Sequence, residues 1–183
     1  MLEHLESVVT TTSMPESGIV VFVGDAALAL PAVQALGQQL GMWSNEVSVV
    51  SRRTLDAVPT WLSIDSDEDL AARLPRWRRR EGVVPVIIDQ PIDAPKLDAT
   101  LQILDTIEPA QVRLVTEAWR LPEQTGRLAG RFGGVDVIDL VDTADSLDPL
   151  GMIDLDIPIG SVEGRPASPE LLAAVWLDRR RHG

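Results

Sequence analysis

The chain has no cysteine and no tyrosine, and only two of its 183 residues are histidine. Without thiols, disulfides and thiolate metal sites are excluded. His4 and His182 lie near the ends, where chain order is poorest, so histidine metal sites and histidine general bases are not expected. Positive charge is also scarce. Sixteen Lys and Arg face 28 Asp and Glu, a formal net charge of −12. Duplex binding relies on clustered cations that release counterions, so nucleic acid is not an expected partner. No apolar run approaches the roughly 18 residues that span a bilayer. The start carries Glu3 and Glu6 rather than a basic segment before an apolar one, so neither a transmembrane segment nor a signal peptide is expected. The expected location is the cytoplasm.

What is present is ordinary for a globular chain: 45% hydrophobic and 24% charged residues. The length suits one domain with a full core. Met1 to Ser17 is polar and rich in Thr, Ser and Glu, and reads as a flexible tail or short docking helix. Residues 18–183 read as a single α/β domain.

The organising stretch is Gly18 to Met42. Ile19 to Val23 is an unbroken apolar run, expected as a strand buried on both faces. Pro31 suits the first turn of a following helix, with Val33, Leu36 and Leu40 at helical spacing and Gly41 as its stop. Further strands are expected at Val47 to Val50, Trp61 to Ile64, Val83 to Ile88, Val112 to Val115, Val135 to Val141 and Ile157 to Val162. Helices are expected after Asp65 or Ser66, over Pro95 to Ile107, over Leu121 to Arg131, and after Ser168 with Pro169 first. Ala144 to Leu155 reads as a short helix or turn. Alternating strands and helices predict a three-layer α/β/α domain with a mostly parallel central sheet. Ligands of such sheets sit at the carboxyl ends of the strands.

Strand, tight loop and helix are the layout of a phosphate-binding P-loop. Such a loop needs glycine, four residues, then Gly-Lys-Ser/Thr. The text here is Gly24-Asp-Ala-Ala-Leu-Ala-Leu-Pro31. Aligned on Gly24, the second glycine is Ala29, the lysine is Leu30 and the hydroxyl residue is Pro31. Leu30 cannot neutralise phosphate, Pro31 can neither ligate magnesium nor donate an N–H, and Asp25 adds negative charge. This loop alone is equally a strand–helix turn that never met phosphate.

Other segments, taken in order, resemble the G domain of signal-recognition-particle-type GTPases, the flagellar-biosynthesis (FlhF) branch most of all. Val86 to Ile92 is similar to the family's strand ending in Asp-Thr-Ala-Gly. Val112 to Ala118 is similar to its Val-Leu-Asp-Ala strand. Ile138 to Leu147 resembles its Leu-Thr-Lys-Leu-Asp stretch, and Asp156 to Gly164 its Leu-Pro-Ile-Ala segment with the following Asp-Gly-Gln. Pro166 to Leu172 resembles the closing helix. The resemblance implies a P-loop-NTPase-like fold with vestigial nucleotide-site positions at Gly24, Asp25, Asp89, Asp142 and Gly164. It also marks departures. The lysine that packs on guanine is Leu140, the glutamine beside the base is Arg165, the γ-phosphate glycine is Ile92, and the Asp-Thr-Tyr-Arg segment shrinks to Ser51 to Val58.

Several features carry a plainer reading beside the functional one. Asp89 and Asp142 are relics of a metal relay and a base reader, or simple caps of a following helix or turn. Asp136, Asp139, Asp142, Asp145 and Asp148 read as a solvated acidic rim, since no EF-hand spacing fits. Arg76-Trp-Arg-Arg-Arg80 and Arg179 to Arg181 read as solvated helix ends favoured by the dipole, with docking to an acidic protein patch as the alternative. Of the five tryptophans, Trp77 and Trp119 are interface candidates, together with Leu28 and Leu30.

The expected function is a non-catalytic pseudo-GTPase with no cofactor and no metal. It acts through protein contacts, with itself or with an SRP-GTPase-related protein, in flagellar or secretion-related assembly. The second reading is a switch that binds nucleotide weakly through Asp142 and the helix start near Pro31. The third is an unrelated Rossmann- or flavodoxin-like small-ligand module, though the G-x-G-x-x-G fingerprint is absent.

Overall fold

The computed structural model describes residues 14–43, 46–53, 55–56, 58–60, 62–91, 97–145 and 151–182. The expectations for the first 13 residues, Trp61, Ile92, Pro95 and Asp148 lie outside these, as do the side chains of Asp145, Trp176, His182 and Arg179 to Arg181.

Among the described residues eight strands form one sheet: β1 (Gly18–Gly24), β2 (Ser48–Val50), β3 (Ser63–Ile64), β4 (Val83–Asp89), β5 (Gln111–Glu117), β6 (Val137–Val141), β7 (Ile159–Val162) and β8 (Arg165–Pro166). Their spatial order is β3-β2-β4-β1-β5-β6-β7-β8. Every pairing is parallel except β7 with β8. Five α-helices among the described residues connect them: α1 (Ala26–Leu40), α2 (Asp67–Arg78), α3 (Asp98–Ile107), α4 (Pro122–Arg131) and α5 (Pro169–His182). The expected α/β sandwich is therefore observed. The expected turn between β6 and β7 is two 3-10 segments, Thr143–Asp145 and Gly151–Leu155.

The central strands are apolar throughout because both faces are covered. Ile19, Val21 and Val23 of β1, with Val84, Val86 and Ile88 of β4, face α2, α3 and α4. Val20 and Phe22 of β1, with Ile87 of β4, face α1 and the side chains of Trp43, Val47, Val49, Val58 and Leu62. A third cluster sits under α5, where Ile138, Leu140, Ile159 and Val162 pack with Met152 and Leu172.

Caps follow the sequence. Ser66 accepts a hydrogen bond from the Asp69 N–H at 3.1 Å, and Ser168 one from Leu171 at 3.1 Å. Gly41 closes α1 in the left-handed region at φ 64°. Several boundaries shift by one to three residues, and the one beside the sheet's carboxyl edge shifts further. The helix after β1 starts at Ala26, and Pro31 is its sixth residue rather than its first. Asp25 supplies the reason. Its carboxylate accepts from the Ala27 N–H at 2.9 Å, so it acts as N-cap and allows the helix to begin at once.

Candidate functional site

The sheet order places β1 between β4 and β5, so the direction in which successive strands are added reverses around β1. Crevices of open α/β sheets form at such a switch, beyond the carboxyl ends of the strands. Three neighbouring ends meet there. Gly24 ends β1 opposite Asp89, which ends β4, and Ser51 follows β2 on the far side of β4. The connection from β1 to α1 is Asp25 alone.

Gly24 is needed for close approach: a Cβ there would stand 2.6 Å from the Val115 carbonyl of β5. The Gly24 carbonyl accepts from the Gln90 N–H at 2.8 Å, which ties the ends of β1 and β4 together. Asp89 then reaches the start of α1. Its Oδ1 accepts from the Ala26 N–H at 3.1 Å, and its Oδ2 from the Ser51 hydroxyl at 2.8 Å. Arg53 grips the same carboxylate with both arms, Nε at 2.6 Å and a terminal nitrogen at 2.9 Å, and that terminal nitrogen also reaches Asp25 at 3.2 Å. The Arg53 backbone N–H donates to Ser51 Oγ at 3.1 Å, which fixes the connector.

Electrostatically the cluster is a closed circuit. The Asp89 side chain is 1% exposed. Burial pushes its pKa up, but hydrogen bonds from Arg53, the Ala26 N–H and Ser51 outweigh burial and hold it below the usual value. The Asp89 hydrogen bond raises Arg53 further above its already high value. The positive end of α1 is thus met by two carboxylates of the chain itself.

The nucleotide implied by the resemblance does not fit this arrangement. A phosphate at the start of α1 would compete for the Ala26 and Ala27 N–H groups, which already donate to Asp89 and Asp25. It would also meet both carboxylates, and the one guanidinium bonded to them among the described residues is spent on that pair. One residue cannot wrap a phosphate as a five-residue glycine-rich loop does.

The structure gathers Gly24, Asp25 and Asp89 and separates the other two expected positions. Asp142 follows β6, two strands from β1, with φ at 52°. Gly164 lies in the β7–β8 turn against α1, where a Cβ would meet the Ala32 carbonyl at 2.6 Å. Its glycine is a packing requirement. Leu30 and Trp77, expected as interface residues, are 7% exposed and belong to the two main core clusters. Leu28, on α1, is half-buried and packs against the core cluster that holds Val20 and Phe22. Trp119 is 49% exposed with the Arg120 guanidinium 4.9 Å over its ring, and Leu121 beside it is also exposed.

The expected acidic rim is not one feature. Asp139 is buried, gripped by Arg113 at 2.6 and 2.7 Å and by the Ser161 hydroxyl at 2.6 Å. Asp136 accepts from the Val112 N–H at 2.7 Å. Sequence reading missed Arg53, Ser51 and Glu163, whose carboxylate takes the Thr143 N–H at 2.7 Å and hydroxyl at 2.9 Å. For Arg53 a signal existed: a polar, basic Ser-Arg-Arg directly after an apolar strand end.

No protein-family model matches the chain, and no curated protein matches it. Solved structures do. The chain is similar to the signal recognition particle receptor FtsY from Elizabethkingia anophelis in complex with GDP, at 9% identity and TM-score 0.63, covering 96% of this chain and 68% of that one. It is similar to FtsY from Thermotoga maritima at 19% identity and TM-score 0.62, covering 96% and 74%. It is similar to FlhF complexed with GMPPNP and Mg2+ at 16% identity and TM-score 0.59, covering 96% and 79%. The fold is that of SRP-type GTPase G domains.

Proposed function

We propose that this chain is a nucleotide-independent, non-catalytic version of that fold which works through protein contacts. The observation that carries this reading is the self-satisfied start of α1. Asp25 and Asp89 take its first N–H groups, and Arg53 bridges the two carboxylates, leaving the trio with a net negative charge. A charge-assisted hydrogen bond contributes about 1.5–3 kcal/mol. An incoming phosphate would have to outcompete several of them while meeting two negative charges. Leu30 and Pro31, standing where lysine and a hydroxyl residue would hold phosphate and metal, add to the same argument.

The contact surface we assign is the exposed pair Trp119 and Leu121, just beyond β5 at the same sheet edge, with half-buried Leu28 as a further candidate. Tryptophan is over-represented among residues that dominate binding energy. The process we assign, flagellar or secretion-related assembly in the cytoplasm, rests on likeness of fold to FlhF and FtsY.

The test is a titration of GTP, GDP and ATP with magnesium, followed by thermal shift and tryptophan fluorescence. No response is expected at millimolar nucleotide. Saturable binding below about 100 μM, roughly −5.5 kcal/mol, overturns the reading in favour of a weakly binding switch.

A further inference from the structure

Among the described residues, a concentration of positive charge lies away from the Asp25–Asp89 edge. Arg73 and Arg76 of α2, with Arg79 and Arg80 just after it, surround two adjoining hollows of about 280 and 410 Å3. The hollows share Glu46, Arg76 and Arg80, so together they form one groove rather than a single round pocket. Its floor includes Val47 and Ser48 at the start of β2 and Val84 near the start of β4, which sets it at the amino-terminal edge of the sheet.

Four guanidiniums face one carboxylate there, in a chain whose formal net charge is −12. Arg80 pairs with Glu46. Arg78 is committed elsewhere, to Glu108 at 2.8 Å and the Thr106 carbonyl. Among the described residues Arg73, Arg76 and Arg79 form no ion pair and no side-chain hydrogen bond. The dipole of α2 explains cations at its end, but not three unpaired guanidiniums turned to one groove with an apolar wall of Val47, Leu62 and Trp77.

We propose that this groove binds an acidic peptide segment of a partner protein, its carboxylates on Arg73, Arg76 and Arg79. Planar guanidiniums suit bidentate carboxylate capture. Glu46 on Arg80 is the intramolecular example of that contact. Single-stranded nucleic acid would need an open aromatic face for base stacking, and Trp77 is buried in the core beside Leu70 and Leu74. The overall negative charge also repels a long polyanion.

The experiment uses fluorescence anisotropy with the full chain and a dye-labelled peptide of alternating glutamate and leucine. Its glutamine counterpart and a dye-labelled oligothymidylate are run beside it. Saturable binding of the glutamate peptide is expected, weakened about tenfold or more in Arg76→Glu/Arg79→Glu because two attractions become repulsions. Both arginines are exposed, and a melting curve matching the parent confirms that the variant is folded. Arg127→Glu, an exposed change on α4, should leave affinity within about twofold. The proposal is overturned by absence of saturation, by equal binding of the glutamine peptide, by equal loss in Arg127→Glu, or by tighter binding of oligothymidylate. Nucleotide titration of the other edge leaves it untouched.

Discussion

At the scale of single residues, two carboxylates show how burial changes what an aspartate does. Asp139 and Arg113 are 2% and 1% exposed, and the guanidinium also lies 5.6 Å over the Phe22 ring. Removing one partner of such a pair strands the other, at a cost of about 3–5 kcal/mol. Arg113→Met should therefore lower the denaturant midpoint strongly, while Arg113→Met/Asp139→Leu recovers most of the loss. Gly160→Ala belongs to the same unit, since its Cβ would lie 2.0 Å from the Arg113 guanidinium. Asp89 gives a pH prediction. Its folded pKa is held below the ordinary 3.8. Its stabilisation is thus fully present above that value and lost as pH falls through the folded pKa. At neutral pH Asp89→Asn should cost about 1–3 kcal/mol. The gap to the parent, read from urea midpoints, should narrow below pH 3.8. A gap that stays constant with pH would mean the carboxylate charge contributes nothing.

At the scale of elements, α1 sets propensity against packing. Gly37 sits within the helix, where alanine would add about 1 kcal/mol by propensity. A Cβ there would fall 2.1 Å from Trp43 Nε1, whose N–H donates to the Val33 carbonyl at 3.0 Å. Trp43 also meets Phe22 edge-on with ring centroids 6.3 Å apart, so it cannot retreat without opening the core. Packing wins: Gly37→Ala should destabilise by about 1–3 kcal/mol, measured by chemical denaturation. The start of α1 teaches the converse. Pro31 is a common first-turn residue, and sequence statistics favour it as the opening. Local hydrogen bonds decided otherwise. Asp25 caps the Ala27 N–H and starts the helix five residues before Pro31, and Asp89 arrives from β4 to take the Ala26 N–H. The first of those signals is local and was readable. The second depends on the pairing of β1 with β4.

At the scale of the whole molecule, excess negative charge opposes compaction by self-repulsion. Raising ionic strength from low to physiological should raise the melting temperature by a few degrees, because exposed pairs such as Arg78–Glu108 contribute little to be screened away. A melting temperature that falls with salt would place the ion pairs above the repulsion. The fold itself was largely legible. Apolar runs at Ile19 to Val23 and Val83 to Ile88 are short and rich in β-branched residues, which favours doubly covered strands over buried helices, and Ser66 and Ser168 announced their helices. The short antiparallel β8 was not legible, because two exposed residues carry no periodicity. Nor could Trp77 be placed. Its neighbours Arg76 and Arg78 are polar and exposed, yet the turn of α2 points the ring into the core.

The order of amino acids alone settled the α/β class, the absence of thiol chemistry, and the lack of lysine and hydroxyl groups after the first strand. These follow from composition and short-range periodicity, which need no knowledge of the rest of the chain. The three-dimensional arrangement decided which aspartate is a buried partner, which is a cap, and that Arg53 locks two of them at the head of α1. Those roles hinge on groups 28, 36 and 63 positions apart in sequence. Only a sheet that sets β2, β4 and β1 side by side brings them within bonding distance.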